Sequence, residues 1–464
     1  MTDSRVAGRH LLPPSGASVF FLGIAGAGMS GLARLFAAEG YAVSGADMEI
    51  TPETRRLESD GIRLVERDEA RRAGESDLVV YTSAAPEDHP VLATARRERV
   101  PVLKRARAMG ALLNDRSLVA ISGTHGKTTV TAMTARVLES AGLDPLVLVG
   151  GRVASWDGNA RVGSGPAIAE ADEYDRSFLQ LSPSLAVITS VEPEHLECYD
   201  GPEDLFASFR AFASRASERM GVLACTEAPG VRAVADSLPG VLTYGLEPAA
   251  DFRVKILDRD GTRQSCRFES ENSSFDFDLA TPGDHNAQNA AAALAVGTRL
   301  GLTPERLSDA LSDFRGVDRR LQLVGNRDGR VIVDDYAHHP TEVRVSVAAA
   351  REAWPDHRLA VVFQPHLYSR TRSMAADFAS ALAGADEARV LPIYPAREAP
   401  IPGVTSRLVT DAAGGSARPL SVDEVPDWVD GLERPAVVIF MGAGDVTRLA
   451  HAVARGKGAN GVGD

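Results

Sequence analysis

Short apolar runs closed by glycine or polar turns recur from one end of the chain to the other, each followed by apolar residues three and four apart. Runs of that length predict buried strands, and the 3.6-residue period after them predicts helices. In the first third, strands are expected over 18–23, 77–82 and 100–103, with Asp47 ending another, and a helix over 91–99; the unit ends near Asn114 or Asp115. A second unit opens at Leu118. It has a helix over 128–141, strands over 145–149, 167–170 and 185–190, and a helix over 202–217. Between 251 and 279 the period drops to two (Phe252, Val254, Ile256, then Phe275, Phe277, Leu279), which predicts a short antiparallel ribbon at the sheet edge. Helices over 286–300 and 304–314 close this unit near Leu321. The last third repeats the theme with strands over 331–335, 359–363, 388–393 and 437–441.

Strands alternating with helices imply parallel sheets covered on both faces, so the expected fold class is α/β. Three domains are expected, 1–115, 116–321 and 322–464, each a mainly parallel sheet with flanking helices. The length of 464 residues agrees, at roughly 150 residues per domain. Ligands in such folds sit at the carboxyl ends of the strands, and the polar clusters of this chain fall there.

The most informative of these strand ends is LVAISGTHGKTTVTAMT, from Leu118 to Thr134. Glycines let backbone N–H groups close around a phosphate, a lysine adds a mobile positive charge, and a hydroxyl reaches a magnesium ion. Gly123, Gly126, Lys127 and Thr128 supply these parts, although Ile121 stands where the full G-x-x-x-x-G-K-[ST] motif has its first glycine. Lys127 is one of only four lysines, with Lys104, Lys255 and Lys457. A nucleoside triphosphate is the expected ligand, bound by a P-loop at a surface. An earlier loop, with Gly26, Gly28 and Gly31 at G-x-G-x-x-G spacing and Asp47 about twenty residues on, makes the first domain Rossmann-like and by itself suggests NAD.

Formal charge narrows the partners. At −13, with no basic run beyond Arg96, Arg97 and Arg99, the chain is not expected to bind nucleic acid. Cys198, Cys225 and Cys266 lack metal-ligand spacing and fit a reducing compartment without disulfides. The start of the chain is polar, and no run reaches the ~18 apolar residues of a membrane span. No membrane association is expected, and the cytoplasm is the expected location. The glycine-rich tail after Gly456 is expected to be disordered.

Other strand ends carry acids, histidines and arginines. Glu170, Asp172, Glu173 and Asp175 follow the strand over 167–170, where carboxylates would meet a metal–phosphate complex in the loop. His195 follows the next strand and is a candidate second metal ligand. Asp284 is expected to cap a helix on which Asn286 and Asn289 share a face and could read a base edge. Farther on come Arg319 and Arg320, then Asp334, Asp335, Tyr336, His338 and His339, then His366, Tyr368, Arg370 and Arg372. The two Asp and two His form a weaker metal alternative, since Pro340 follows them directly and no third spaced ligand is present.

Taken in order, GIAGAGMSGLA, GADM, TSAA, ISGTHGKTTVTAM, EADEYDRSFL, GDHNAQN, FRGVDRRLQ, DDYAHHPTEV, FQPHLYSRTR, IYPAREAPIPGVTS and GAGD resemble the Mur ligase family over almost the whole chain. The resemblance implies an ATP-dependent amide-bond-forming ligase that joins L-alanine to the lactyl carboxylate of UDP-N-acetylmuramate through an acyl phosphate, in peptidoglycan precursor synthesis. It implies that the first glycine loop holds the pyrophosphate of a UDP-sugar, with Gly23, Ala25, Gly26, Gly28, Met29, Asp47, Thr82 and Ser83 around it. Gly123, Thr124, His125, Gly126, Lys127, Thr128 and Thr129 would hold ATP, Thr128 and Glu170 the first Mg2+, and His195 would help place a second. Asn286 and Asn289 would read adenine, and Arg320 would reach the phosphates from a third domain that closes over the second. Tyr336, His338, His366 and Arg370 would line the amino-acid and acyl-phosphate side. Lys127, Glu170, His195, His338 and Arg370 are the expected catalytic set.

Glu194 and Leu367 depart from the resemblance, since many members carry Asp and Arg there. The carbamylated lysine that several members use is not available, because no lysine lies between Lys127 and Lys255. Alternatives are a ligase of the same family that recycles murein peptides, a nicotinamide oxidoreductase and an idle nucleotide sensor. A monomer or weak homodimer is expected.

Overall fold

The computed structural model describes residues 6–65, 72–194, 198–217, 220–396 and 398–456. It has three domains of mainly parallel sheet with flanking helices. Contacts group the chain into two compact units. Met1–Lys255, Arg267–Phe277 and Gln288–Leu311 form one; Ile256–Cys266, Asp278–Ala287 and Ser312–Asp464 form the other.

The first sheet has strands β1 (Ser18–Leu22), β2 (Ala42–Ala46), β3 (Arg63–Leu64), β4 (Leu78–Tyr81) and β5 (Val102–Lys104). Their order is β3-β2-β1-β4-β5, all parallel. The order reverses between β1 and β4, and ligands of doubly wound sheets sit at that reversal. The ends of these two strands lead into Gly23 and Thr82.

The second sheet contains β6 (Leu118–Ser122), β7 (Leu146–Val153), β8 (Gly158–Arg161), β9 (Ala167–Ala171), β10 (Leu185–Ile188), β11 (Gly221–Ala224), β12 (Val241–Gly245), β13 (Phe252–Asp260), β14 (Arg263–Ser270) and β15 (Ser273–Leu279). Its order is β15-β14-β13-β12-β11-β10-β6-β9-β7-β8. Every residue of β6 is buried, as a central strand covered on both faces must be. Its neighbours β9 and β10 place their own carboxyl ends beside the loop that β6 feeds.

The third sheet contains β16 (Gln322–Arg327), β17 (Arg330–Asp335), β18 (Arg358–Phe363), β19 (Glu387–Val390), β20 (Ala417–Pro419) and β21 (Ala436–Met441), in the order β16-β17-β21-β18-β19-β20. Alternate residues feed opposite faces: Val331, Val333, Val361 and Phe363 join one apolar cluster, and Ile332, Ala360, Val362 and Phe440 the other.

In the first unit a single apolar cluster runs from Val19 and Phe21 through Leu112 to Ala120, Phe178 and Phe209, so the first two domains share one core. The helix Ala27–Ala38 that follows the first glycine loop packs on β7 and β8. Gly31 makes this possible: a Cβ there would lie 2.6 Å from Leu148 Cδ1 and 3.1 Å from Asn159 Oδ1. Asn159 donates to Ala27 O and to Ser30 Oγ (3.2 Å) and accepts from Arg34.

Several expectations are corrected. The edge ribbon is three strands, β13 to β15. The helix expected over 304–314 covers only Pro304–Leu307, because Ser308, Asp309, Ser312 and Asp313 favour local turns over helix. An antiparallel strand, β16, edges the third sheet, and β7 and β8 pair antiparallel. Asp284 lies inside the first turn of the helix Asp284–Arg299 rather than capping it, and its carboxylate is taken by Arg259. Cys198, Cys225 and Cys266 form no disulfide among the described residues, which agrees with the expectation. The tail beyond Gly456 and His195 lie outside the described residues.

Candidate active site

The phosphate loop is built by two residues that only glycine fits. Gly123 has φ +137, and a Cβ on it would lie 2.1 Å from Thr189 Oγ1 and 2.8 Å from the Ser190 backbone. Gly126, at φ +81, precedes the helix Lys127–Ser140. The first N–H groups of that helix, at Lys127, Thr128 and Thr129, have no acceptor within it, which makes this terminus an anion site. The end of β10 straps the loop in place. Thr124 N donates to Ser190 O (2.9 Å), His125 N to Ser190 Oγ (2.9 Å), and Thr189 Oγ1 to His125 O (2.5 Å). His125 Nε2 stands 3.4 Å from Glu192.

Lys127 is not on an open surface, contrary to expectation. Its ammonium donates to Gly123 O (2.5 Å), Thr124 O (3.3 Å) and Glu173 Oε2 (2.8 Å), and its side chain is 13% exposed. Burial alone would lower its pKa; the Glu173, Asp172 and Glu170 carboxylates override it and hold Lys127 above its ordinary value. Lys127 is therefore the cation of a buried ion pair with Glu173.

Beside it, Glu170 Oε2 accepts from Thr128 Oγ1 (3.0 Å) and from Gly150 N (2.7 Å). A hydroxyl and a carboxylate so close at the mouth of a phosphate loop fit a hard cation that also takes phosphate oxygens. Asn289 brings its Oδ1 to 3.0 Å from where a Cβ on Gly126 would sit. Asn286 is buried, and its amide donates to Pro282 O (2.8 Å) at the entry to its own helix, so it is engaged in holding the chain there.

In the first domain, Gly23 (φ +78) turns the chain beneath Thr82, whose Cγ2 would lie 2.6 Å from a Cβ on it. Asp47 closes the glycine loop from below, accepting from Ala25 N (2.7 Å) and Met48 N (2.7 Å). Gly26 caps the following helix, Met29 is buried under it, and Arg105 lies against Gly28. Ser83 Oγ donates to Asp175 Oδ2 (3.0 Å), an oxygen that also takes Lys104 Nζ (3.3 Å).

The second unit gathers an aromatic and imidazole cluster at the ends of β17 and β18. Arg319 and Arg320 lie over the Tyr336 ring, at 4.6 and 5.3 Å. Tyr336 meets His338 edge-on (5.1 Å), His338 meets His366 (6.0 Å), and His366 stacks on Tyr394 (5.8 Å). His338 Nδ1 is 3.0 Å from Tyr336 O and 3.1 Å from Glu342 Oε2. Burial, His338 and Arg370 lower His366 to about 4, so it is neutral at pH 7. Burial and Arg320 likewise lower His285 to about 4. The Asp–His metal alternative fails: Asp335 is spent on Leu321 N, Ala337 N and Ser346 Oγ, and His339 caps the helix Pro340–Ala353.

Comparison with known proteins decides the lineage. Family models match in order over the chain: "Mur ligase family, catalytic domain" at residues 18–117, "Mur ligase middle domain" at 121–297, and "Mur ligase, glutamate ligase domain" at 319–444. A UDP-N-acetylmuramate–L-alanine ligase of Paenarthrobacter aurescens is 43% identical, over 95% of this chain and 97% of its own. The chain belongs to the Mur ligase family. Another such relative, from Acidithiobacillus ferrooxidans, is 40% identical over 93% of this chain and 96% of its own. Among solved structures, the UDP-N-acetylmuramate-alanine ligase of Thermotoga maritima superposes with a TM-score of 0.79 at 28% identity, covering 95% of this chain and 98% of its own. A murein peptide ligase of Psychrobacter arcticus has the same fold (TM-score 0.68, 23% identity, 95% and 99% coverage).

Against this Mur ligase frame, the sequence motifs missed three groups. Glu173 stood in the acid run, but nothing singled it out as the partner of Lys127. Thr189 and Ser190 read as a strand end; their signal was adjacency, because β10 pairs directly with β6. Glu398, which accepts from Ser369 N (2.9 Å) and Ser369 Oγ beside His366, lay in a quoted motif without a role.

Proposed function

We propose that this Mur ligase joins L-alanine to the lactyl carboxylate of UDP-N-acetylmuramate at the expense of ATP, a step in peptidoglycan precursor synthesis. The full-length likeness to ligases of that name carries the reading. A carboxylate oxygen attacks the γ-phosphorus of ATP and ADP leaves. The α-amine of L-alanine then attacks the acyl phosphate, loses its proton, and phosphate departs with the former carboxylate oxygen. Such a transfer needs chiefly positioning and neutralisation of charge.

In this proposal Lys127 and the loop N–H groups of residues 123–129 hold the β- and γ-phosphates. Thr128 and Glu170 would hold Mg2+, with His195 proposed for a second ion; when bound, the metal neutralises charge on the transferring phosphoryl group. Asn286 and Asn289 are proposed for adenine, and Arg320 for phosphate charge. The first glycine loop, with Asp47, Thr82 and Ser83, takes the UDP-sugar. Tyr336, His338, His366 and Arg370 take the amino acid and acyl phosphate; His366, neutral at pH 7, can accept the proton that the amine nitrogen loses once it has attacked the acyl phosphate. No helix among the described residues is long and apolar enough to cross a membrane, and we place the enzyme in the cytoplasm, where its nucleotides are made.

A steady-state assay of phosphate release over acceptors tests this. Release should require ATP, UDP-N-acetylmuramate and an amino acid together, with L-alanine ahead of glycine, L-serine and a murein tripeptide. Preference for the tripeptide would favour the recycling reading; ATP turnover indifferent to both co-substrates, or bound ATP without turnover, would refute the ligase.

A further inference from the structure

The hairpin of β7 and β8 touches both the helix of the first glycine loop and the carboxylate beside the phosphate loop. Its ladder is interrupted: Leu148 pairs with Ala160 and Val153 with Gly158, so residues 149–152 on β7 face Asn159 alone on β8. An insertion of this kind bends its strand and re-aims what the strand carries. Gly150, in the bend, donates its N–H to Glu170 Oε2 (2.7 Å), and a Cβ there would lie 2.7 Å from the same oxygen. A glycine lets β7 come this close to the proposed metal ligand.

The same hairpin holds the helix Ala27–Ala38, which Gly26 of the first glycine loop leads into. Asn159, 6% exposed, spends its whole amide on that helix. Its N–H groups go to Ala27 O and to Ser30 Oγ (3.2 Å), and its Oδ1 takes Arg34 Nη1 (3.2 Å). Residues 27, 30 and 34, spaced three and four apart, share one helix face. Arg34 is itself fixed, on Glu53 Oε1 (2.7 Å) and Asp60 Oδ2 (2.7 Å). Leu148, two residues before Gly150, meets the helix at Gly31, where a Cβ would lie 2.6 Å from its Cδ1. A buried amide with every group paired fixes orientation as well as position, because any shift of the helix leaves polar atoms unpaired.

We propose that Asn159 is a positioning residue: acting through the helix Ala27–Ala38, it sets where the pyrophosphate of the sugar nucleotide lies relative to Glu170 and the phosphate loop. A helix N-terminus binds an anion by its free N–H groups, so the pyrophosphate goes where that terminus goes. The terminus rests on β7 and β8, and β7 also carries Gly150 against Glu170. One strand therefore spans the place where the acid is delivered and the place where the phosphoryl donor is held. A misplacement of about 1 Å, even one made far from the chemistry, can cost about a hundredfold in rate. The proposal rests on the assignment of the first glycine loop to a UDP-sugar.

Steady-state kinetics at saturating ATP and L-alanine, with calorimetry of a non-hydrolysable ATP analogue on the free protein, test it with the full chain. In Asn159→Ala, kcat/KM for UDP-N-acetylmuramate should fall by about tenfold to a hundredfold, while the dissociation constant of the analogue stays within about twofold of wild type. Ser30→Ala should cost less, and added to Asn159→Ala it should cost nothing further, because the two residues share a bond. Gly31→Ala, whose methyl strikes Leu148, should act in the same direction, and Leu148→Val added to it should return part of the loss. An Asn159→Ala protein with wild-type kcat/KM overturns the proposal. So does one that loses kcat/KM and analogue affinity equally, since that is a general loosening. Where Asn159→Ala does not fold, Gly31→Ala decides: no loss, or a loss that Leu148→Val leaves untouched, overturns it. A wild type that turns over UDP-N-acetylmuramate with no acceptor refutes instead the proposed function, and the two failures are thereby distinguished.

Discussion

Lys127→Ala is expected to abolish phosphate release and, in addition, to lower the melting temperature. The first effect follows from its place at the start of the helix Lys127–Ser140, from which its ammonium is the charge that the loop itself brings to the γ-phosphate. The second follows from burial. Removing one member of a buried ion pair strands the other, at a cost of about 3–5 kcal/mol, and here the stranded group is Glu173, 1% exposed. Protonation of Glu173, whose pKa burial already raises against the pull of Lys127, limits the loss. The double variant Lys127→Ala/Glu173→Gln should therefore recover most of the melting temperature and none of the turnover. Thermal denaturation and a phosphate-release assay on both proteins check this; wild-type turnover in the single variant, or no recovery of stability in the double, would contradict it.

Gly123→Ala is expected to damage the molecule more than Gly126→Ala, although the two glycines flank the same loop. At Gly123 an added methyl meets Thr189 Oγ1 at 2.1 Å and the Ser190 N and O at 2.8 Å, and the last two are backbone atoms that cannot swing away. The left-handed backbone adds about 1–2 kcal/mol for any L-residue. The strap from β10 and the loop must then separate, which removes the bonds of Thr124 N and His125 N to Ser190. At Gly126 the nearest atom is Asn289 Oδ1 at 3.0 Å, on a side chain that can turn. Melting temperature and ATP-analogue affinity should both fall further in Gly123→Ala; the reverse order would show that the strap does not set the loop.

Much of this was legible before any coordinates. The buried strand β6 announces itself as LVAIS between polar flanks, and the helix Pro202–Ser217 carries a clear apolar stripe with acids in its first turn. Of the three glycines at G-x-G-x-x-G spacing, Gly28 and Gly31 each meet a neighbour that a side chain would strike, whereas a Cβ on Gly26 would make only ordinary contact. Strands with weak burial were not legible. β16 alternates between exposed and half-buried residues, and β12 is half-buried at its start, so neither shows a sharp period. The pairing of Lys127 with Glu173, rather than with Asp172 or Asp175, was not legible either. It depends on left-handed backbone at Asp175 and Arg176, where neither residue is a glycine that would advertise the turn. The end of the helix at Leu307 had a local signal, the Ser and Asp that follow, although apolar spacing continues through Ala310, Leu311 and Phe314.

The account stands on the claim that ATP activates the acid rather than the amine. UDP-N-acetylmuramate labelled with 18O in its lactyl carboxylate, turned over with ATP and L-alanine, measures this directly. One carboxylate oxygen should appear in each phosphate released, carried there when the amine displaces it from the acyl phosphate. Unlabelled phosphate accompanying amide formation would contradict the account.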